Sequence, residues 1–318
     1  MSSIQLKQLA TQLAVIFFCF LLLAGCKETK QQAPGDTPTS GTINISVDES
    51  FRPVIEEQIK VFEGSFPGAK INAAYKPEAA CLKDLYSDAD TRMVIVTKPL
   101  SVNDAKYFDD TIHYVPRSEK LAADAIAIVV NIKSNDTLFT LRDLQDLLTG
   151  ASTSNKKVVF DGFNATSAIR FATDSILKGK KFDNNKVKAV KNSREVLEYI
   201  ATDTNAIGMV GISWIGNPED SSQVNMLTKV KIAYLKCDVC VDSPYVKPTT
   251  ASMSTRRYPL VRGLYYILKE NYSGLGSGFA AFLQYERGQL IFRRSYLWPA
   301  KMSFNIRNVI LNDKIKKE

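Results

Sequence analysis

The chain has 318 residues, of which 45% are hydrophobic and 23% charged, and its formal net charge is +8. This composition is that of an ordinary soluble globular protein, and the length favours two lobes over a single core. The single histidine, His113, excludes multi-histidine zinc sites, and no carboxylate pattern around it indicates a catalytic triad. Lys and Arg are scattered without interleaved aromatic residues, which argues against a nucleic-acid partner.

The amino-terminal segment predicts export. An apolar run from Leu13 to Leu23 is too short to span a membrane comfortably and is typical of a secretory signal. It ends in LAGC (23–26), which resembles the lipobox at which bacterial lipoprotein signals are cleaved. We therefore predict a lipoprotein signal peptide over residues 1–25, lipidation of Cys26, and a body held at the cell envelope outside the cytoplasm. Residues 26–41 have almost no large apolar side chains and predict a flexible tether to the membrane.

Short β-branched runs alternate with amphipathic helical patterns along the body, which predicts an α/β fold with a mostly parallel sheet. TINISV (42–47) predicts the first strand. Next, Ile55, Ile59, Phe62 and Phe66 recur at helical spacing and predict one apolar helix face. Further strands are predicted at INAAY (71–75), MVIVT (93–97), AIAIVV (125–130), VVF (158–160), AIGMV (206–210) and KIAYL (231–235).

Two helices have readable ends. Thr140 is predicted to cap the helix TLRDLQDLLTG, with Asp143 answering three residues later and Gly150 ending it. Asn192 or Ser193 is predicted to open REVLEYIA in the same way. No repeat of 20 to 50 residues is present, which excludes a repeat protein.

The motif CDVC holds Cys237 and Cys240, which an oxidising compartment allows to close a small local disulfide. A thioredoxin-like redox role would need this motif at a strand-to-helix turn. It follows the strand-like KIAYL instead, in a loop rich in Asp and Pro. A structural role is therefore favoured over a redox role.

Three predicted strands are each followed by small polar residues and a helical pattern. The turns are Asp48–Glu49–Ser50–Phe51, Thr97–Lys98–Pro99–Leu100–Ser101 and Asp161 to Ser167, DGFNATS. Unpaired N–H groups and the helix dipole at such positions attract anions, although plain helix capping explains each turn taken alone. Their order in the chain allows them to face each other across a cleft. Neither GK[ST] nor GxGxxG is present, which argues against a nucleotide ligand.

Longer segments in the same order resemble a known family. They are VDESFRPVIEEQIKVFE, YKPEAACLKDL, RMVIVTKPLS, DAIAIVVN, TLRDLQDLLTG, VVFDGFNATSAIRF, NAIGMVGISWI, RYPLVRGLYYI and GLGSGFAAFLQYERGQLIFRRSYLWPA. Together they resemble the phosphate-binding lipoproteins of phosphate ABC transporters, of the Bacteroidetes type, in the type II periplasmic-binding-protein superfamily. The resemblance implies a first lobe of residues 42–124 plus 250–318, a second lobe of residues 125–249, and a ligand cleft between them.

The resemblance also implies the ligand-binding residues. In the first and central turns they are Ser50, Phe51, Asn164, Ala165, Thr166 and Ser167, with Arg170 one helical turn later. Lys98 falls where many relatives carry Arg and where phosphate binders outside this subgroup carry an aspartate, the acceptor for the proton of hydrogen phosphate. Two alternatives follow: Asp48, Glu49 or Asp161 acts as the acceptor instead, or Lys98 binds the anion simply by adding positive charge.

The implied function is capture of inorganic phosphate by a monomer that delivers it to an ABC permease, without a metal, an organic cofactor or enzymatic turnover. Sulfate, molybdate or tungstate in the same cleft is one alternative. An envelope sensor or scaffold that acts through protein contacts is another. An envelope hydrolase is disfavoured because His113 stands alone.

Overall fold

The structure is a computed structural model that describes residues 35–162 and 166–302. The predicted signal peptide, Cys26 and residues 27–34 of the predicted tether lie outside the described residues. Across the two described ranges, no helix combines the length and apolar character that crossing a membrane requires.

The body is built from alternating strands and helices. The strands are β1 (Gly41–Asp48), β2 (Ala69–Lys76), β3 (Thr91–Val96), β4 (Arg117–Asn131), β5 (Leu138–Phe139), β6 (Lys157–Phe160), β7 (Val187–Ala189), β8 (Ala206–Gly211), β9 (Val230–Ile232), β10 (Tyr234–Lys236), β11 (Tyr245–Val246), β12 (Val261–Leu268) and β13 (Trp298–Pro299). The α-helices are α1 (Arg52–Ser65), α2 (Glu78–Ser87), α3 (Val102–Ile112), α4 (Leu141–Thr149), α5 (Ser167–Ala172), α6 (Ser193–Thr202), α7 (Ser221–Met226), α8 (Thr250–Ser254), α9 (Leu275–Gln284) and α10 (Glu286–Arg294).

The main sheet has ten strands, and its central path runs β2-β1-β3-β12-β4-β8-β6-β7. The outer strands pair in parallel, whereas β12 and β4 at the centre are antiparallel to their neighbours. The expectation of a mostly parallel sheet therefore holds only for the flanks. The centre differs because β4 leads the chain away from the first strands and β12 brings it back.

Strand β4 runs through both parts of the sheet. Its first part pairs with β12 as far as Ala125, and its second part pairs with β8 from Ile126 onward. We call the part on the β12 side of this change the first lobe and the part on the β8 side the second lobe. The predicted lobe boundaries, 42–124 plus 250–318 and 125–249, remain predictions.

Two helices begin at the capping residues that the sequence predicts. Thr140 and Asp143 form a reciprocal capping box on α4, and Gly150 ends that helix with a φ of 75°, a left-handed conformation that favours glycine. Asn192 caps α6 by accepting a hydrogen bond from the N–H of Glu195. These caps confirm the predicted ends of both helices.

Two predicted strands differ from the structure. AIAIVV (125–130) is only the second part of β4, which begins at Arg117. KIAYL (231–235) is interrupted at Ala233 and supplies β9 to the main sheet and β10 to a separate small sheet, β11-β10-β5. Apolar patterning locates such segments, but pairing partners far away in sequence decide their ends.

Other expectations concern single residues. Cys237 and Cys240 form a local disulfide beyond β10, a possibility that the sequence left open. His113 lies exposed at the end of α3 in a left-handed conformation with a φ of 53°. Asp36, in the segment assigned to the tether, is buried and accepts hydrogen bonds from Arg92 and from the N–H of Leu275. The folded body thus begins by Asp36.

Candidate anion-binding site

A buried arginine lies at the centre of the main sheet. Arg262 on β12 is the cross-strand neighbour of Asp124 on β4, and its Nε donates to Oδ2 of Asp124 at 2.8 Å. The exposed fractions of the two side chains are 2% and 0%. The ring of Phe51 packs against the guanidinium, whose carbon lies 4.9 Å from the ring centroid. Asp124 and Phe51 therefore fix the orientation of a buried positive charge.

A chain of hydroxyl groups extends from this arginine. Nη1 of Arg262 donates to Oγ of Ser167 at 2.7 Å. Ser167 Oγ lies 3.2 Å from Oγ of Ser50, and Ser50 Oγ donates to Oδ2 of Asp161 at 3.3 Å. Because Ser167 accepts from the arginine, its own proton is free to point to Ser50. The chain joins the turn after β1 in the first lobe to the start of α5 in the second.

A second group of polar side chains lies beside this chain. The Oγ of Ser193, at the start of α6, lies 2.9 Å from Oε2 of Glu49 and 3.0 Å from Oδ2 of Asp161. A hydroxyl has one proton and donates to one acceptor at a time. The hydroxyl of Ser193 can therefore satisfy only one of the two carboxyl groups at a time.

Several buried polar atoms at this site have no hydrogen-bond partner within residues 35–162 and 166–302. They are Nη2 of Arg262 and the carboxyl oxygens Oδ2 of Asp48, Oε1 of Glu49, Oδ1 of Asp124 and Oδ1 of Asp161. A buried donor without a partner costs about 1 to 3 kcal/mol, and a charged donor costs more. The site thus offers both a hydrogen-bond donor and hydrogen-bond acceptors to a polar ligand.

Burial and neighbouring charges shift the pKa values of the acidic residues at the site. Burial raises the pKa of Asp48 to about 7, with Arg262 opposing the rise and Glu78 adding to it. Burial also raises the pKa of Glu49 to about 7, and repulsion from Asp161 adds to that effect. Asp124 is already paired with Arg262. Near neutral pH, Asp48 and Glu49 are therefore divided between their protonated and ionised forms, whereas Arg262 stays charged.

Arg170, predicted as a ligand, points to other groups. Its Nε donates to Oε2 of Glu78 at 2.7 Å and its Nη2 donates to Oγ of Thr97. Nη1 lies 3.3 Å from Oδ2 of Asp174, four residues later in the chain. Hydrogen bonds to these three neighbours thus engage the guanidinium, and its predicted role as a direct ligand remains a prediction.

The other predicted residues divide into two groups. Ser50, Ser167 and Asp161 lie in the hydrogen-bonded chain, and Asp48 and Phe51 adjoin it. Thr166 accepts from the N–H of Ile169 and caps α5. Lys98 is exposed and makes no hydrogen bond or ion pair within the part of the chain that the structure describes. Asn164 and Ala165 lie outside the described residues.

Sequence analysis missed Arg262, Asp124, Ser193 and Glu78 as site residues. A signal for the first two exists, because each is the only charged residue within an otherwise apolar run, VRGLYYIL and LAADAIAIVV. Arg262 also shares the buried period of β12 with Leu264 and Tyr266. A lone charge on the buried face of a strand predicts a paired or functional residue.

Comparison with known proteins identifies the family. A sequence profile described as the PBP superfamily domain matches residues 32–287. The chain belongs to the PBP superfamily. Membership in this periplasmic-binding-protein superfamily, together with the two-lobed α/β structure, confirms the fold expected from the resemblance. It also supports a solute-binding role and an extracytoplasmic location.

Solved structures of low sequence identity share this PBP fold. One is a Clostridium perfringens protein described as a phosphate ABC transporter substrate-binding protein with bound phosphate, at a TM-score of 0.66 and 19% identity, covering 82% of this chain and 100% of that one. Another is an ABC-type phosphate transport receptor from Vibrio cholerae, at 0.57 and 18%, covering 81% and 100%. The OxyR2 regulatory domain from Vibrio vulnificus also matches, at 0.51 and 9%, covering 77% and 95%. A search of curated protein sequences found no match.

Proposed function

We propose that this PBP-superfamily protein is an extracytoplasmic lipoprotein that captures inorganic phosphate between its two lobes and delivers it to an ABC permease. The observation that carries the proposal is the unpartnered Nη2 of buried Arg262 next to the hydroxyls of Ser50 and Ser167. Guanidinium and hydroxyl donors of this kind suit the oxygens of a tetrahedral anion. The phosphate bound in the Clostridium perfringens relative supports the same ligand.

The acceptors at the site favour phosphate over sulfate. Hydrogen phosphate carries a proton that a carboxylate can accept, whereas sulfate at neutral pH carries none and meets only repulsion. Asp48, Glu49 and Asp161 each present a buried carboxyl oxygen without a partner among the described residues. Phosphate binders outside this subgroup carry an aspartate at the position of Lys98. In this protein we assign its role as proton acceptor to one of these three acids.

The proposed mechanism is closure of the lobes over the anion about the strands that connect them. Ser50 belongs to the first lobe and Ser167 to the second, so both lobes contribute to one shell of donors. Hydrogen bonds to a charged group contribute about 1.5 to 3 kcal/mol each, and desolvation and lost motion offset most of that sum. A net of about −8 kcal/mol, or about micromolar affinity, is the expectation.

Export and anchoring complete the proposal. The predicted signal peptide and the lipobox at Cys26 support a body tethered to a membrane on its extracytoplasmic face. A tethered binding protein stays near the permease that it supplies.

A thermal-shift screen tests the proposal. The purified, phosphate-free protein is heated with phosphate, sulfate, molybdate or tungstate, since a ligand that binds the folded state raises the melting temperature. A rise with phosphate alone supports the proposal. A larger rise in melting temperature with another oxyanion would identify that oxyanion as the ligand instead of phosphate. No rise with any of them would favour a sensor or scaffold.

A further inference from the structure

A bidentate ion pair joins the two lobes beside the candidate site. Nε of Arg170 donates to Oε2 of Glu78 at 2.7 Å, and Nη2 donates to Oε1 at 3.2 Å and also to Oγ of Thr97. Arg170 lies on α5 in the second lobe. Glu78 begins α2 and Thr97 follows β3, so both acceptors belong to the first lobe. The contact therefore fastens one lobe to the other.

The first lobe holds the acceptor in place. The exposed fraction of the Glu78 side chain is 2%, against 26% for Arg170. Glu78 accepts a hydrogen bond from the N–H of Thr97 at 2.9 Å and another from its hydroxyl. Burial alone would raise the pKa of Glu78, but the hydrogen bonds from Arg170 and Thr97 hold it below its usual value. The carboxylate is thus charged, buried and oriented toward the arginine.

The same short helix serves the ion pair and the anion site. Ser167, which accepts from Arg262, precedes Arg170 by three residues on α5, so the two side chains lie one helical turn apart. When Arg170 meets Glu78, the helix is held where Ser167 lies 3.2 Å from Ser50. Separation of the lobes would break both contacts and leave a buried carboxylate without this cation, which is costly.

We propose that Arg170, Glu78 and Thr97 form a latch that keeps the lobes closed over the bound anion and sets the rate at which the anion leaves. In this account Arg170 is a positioning residue and does not contact the anion. The inference rests on the proposed function, because it assigns a role in phosphate release.

Two substitutions that remove a charge separate a latch from an anion ligand. As a latch, Arg170→Gln and Glu78→Gln both speed phosphate release about tenfold or more, and the double variant releases no faster than the faster single variant. If Arg170 were a ligand, the two substitutions would act in opposite directions. Arg170→Gln would weaken binding, and Glu78→Gln would strengthen it by removing a negative charge near the anion.

Release is measured by stopped-flow displacement of phosphate from the purified protein, followed through tryptophan fluorescence. Arg142→Gln is the matched control, because Arg142 pairs with Asp146 in its own helix, at 3.7 Å, and its side chain is 87% exposed. Its release rate should equal that of the wild type. Thr97→Val is a milder change at the latch and should speed release by about threefold.

The outcomes distinguish the latch from the proposed function. If the wild type takes up no phosphate in calorimetry, the proposed function fails. If the wild type binds phosphate and either Gln variant releases it at the wild-type rate or more slowly, the latch is wrong.

A second measurement covers variants that fold poorly or bind too weakly to follow. Small-angle scattering should show a larger radius of gyration for Thr97→Val and the folded Gln variants than for the wild type, and an unchanged radius would overturn the latch.

Discussion

Arg262 and Asp124 are cross-strand neighbours on β12 and β4, and Nε of the arginine donates to Oδ2 of the aspartate at 2.8 Å. The pair lies beside the point where β4 passes from one lobe to the other. It leaves Nη1 to bind Ser167 and Nη2 without a partner among the described residues. The central strands of the fold thus present one oriented cation to the space between the lobes.

Replacement of this arginine by lysine should abolish most anion binding. Arg262→Lys keeps the charge but loses the planar fork that contacts Asp124, Ser167 and the anion together. Two lost hydrogen bonds to a charged ligand correspond to a fall in phosphate affinity of about a hundredfold. Titration calorimetry measures the loss. Arg142→Lys, an exposed substitution, should bind phosphate as the wild type does.

Anion selectivity should depend on Asp161. Its Oδ1 has no partner among the described residues, and its Oδ2 accepts from Ser50. Asp161→Asn turns a proton acceptor into a group that also donates, so sulfate affinity should rise and phosphate affinity should fall. We expect the ratio of the two affinities to narrow by about tenfold or more. Asp136→Asn, whose side chain is 61% exposed, is the control, and a ratio that narrows equally in both variants would contradict this role.

Stability in phosphate-free buffer should fall as the pH rises toward neutrality. Burial raises the pKa of Asp48 from 3.8 and of Glu49 from 4.5, both to about 7. At a pH between the unfolded and the folded pKa values, the folded protein binds more protons than the unfolded chain. The stabilisation from these protons is therefore complete below the unfolded pKa values and is lost as the pH rises through about 7. Groups with a lowered pKa, such as Glu78, act in the opposite direction but only in the acid range.

Urea unfolding from about pH 5 to about pH 8 measures this slope. Glu49→Gln cannot ionise and should flatten it, with a gain of about 1 kcal/mol or more in unfolding free energy at the alkaline end. Glu56→Gln is the control. The Glu56 side chain on α1 is 54% exposed, so this substitution should leave the slope unchanged. A slope that rises with pH in the wild type would refute the assignment of these two acids.

The disulfide should stabilise the fold without affecting the ligand. Cys237 and Cys240 are only three positions apart, and chain-entropy arguments give about 2 kcal/mol for a loop of this size. The double substitution Cys237→Ser/Cys240→Ser should lower the free energy of unfolding by about that amount. Phosphate affinity should stay at the wild-type value, because the loop lies beyond β10 in the small sheet. A large loss of affinity would instead link this loop to the site.

Sequence reasoning succeeded where the signal is local. The cap of α4 depends on Thr140, Asp143 and Gly150, which lie within one short segment. The first strand and the apolar face of α1 follow from the periodicity of nearby residues, and Ile55 and Phe62 are buried as expected. The order of the turns that carry Ser50, Asp161 and Ser167 allows them to face each other across a cleft, and in the structure the Ser50 hydroxyl lies within hydrogen-bond distance of the other two side chains.

The remainder depends on contacts between distant residues. Arg262 and Asp124 are 138 positions apart, and Arg170 and Glu78 are 92 apart. The lone charges in two apolar runs indicate that each needs a partner, but only the antiparallel pairing of β12 with β4 shows that they are partners of each other. The direction of Arg170 toward Glu78 depends on how the lobes meet, which no local pattern encodes.

The most direct test is calorimetric titration of the phosphate-free wild type and of Arg262→Lys with phosphate and then with sulfate at neutral pH. The account predicts about micromolar phosphate binding and far weaker sulfate binding by the wild type, and phosphate binding about a hundredfold weaker in the folded variant. Phosphate binding of equal strength in both proteins, or sulfate binding as tight as phosphate binding in the wild type, would contradict it.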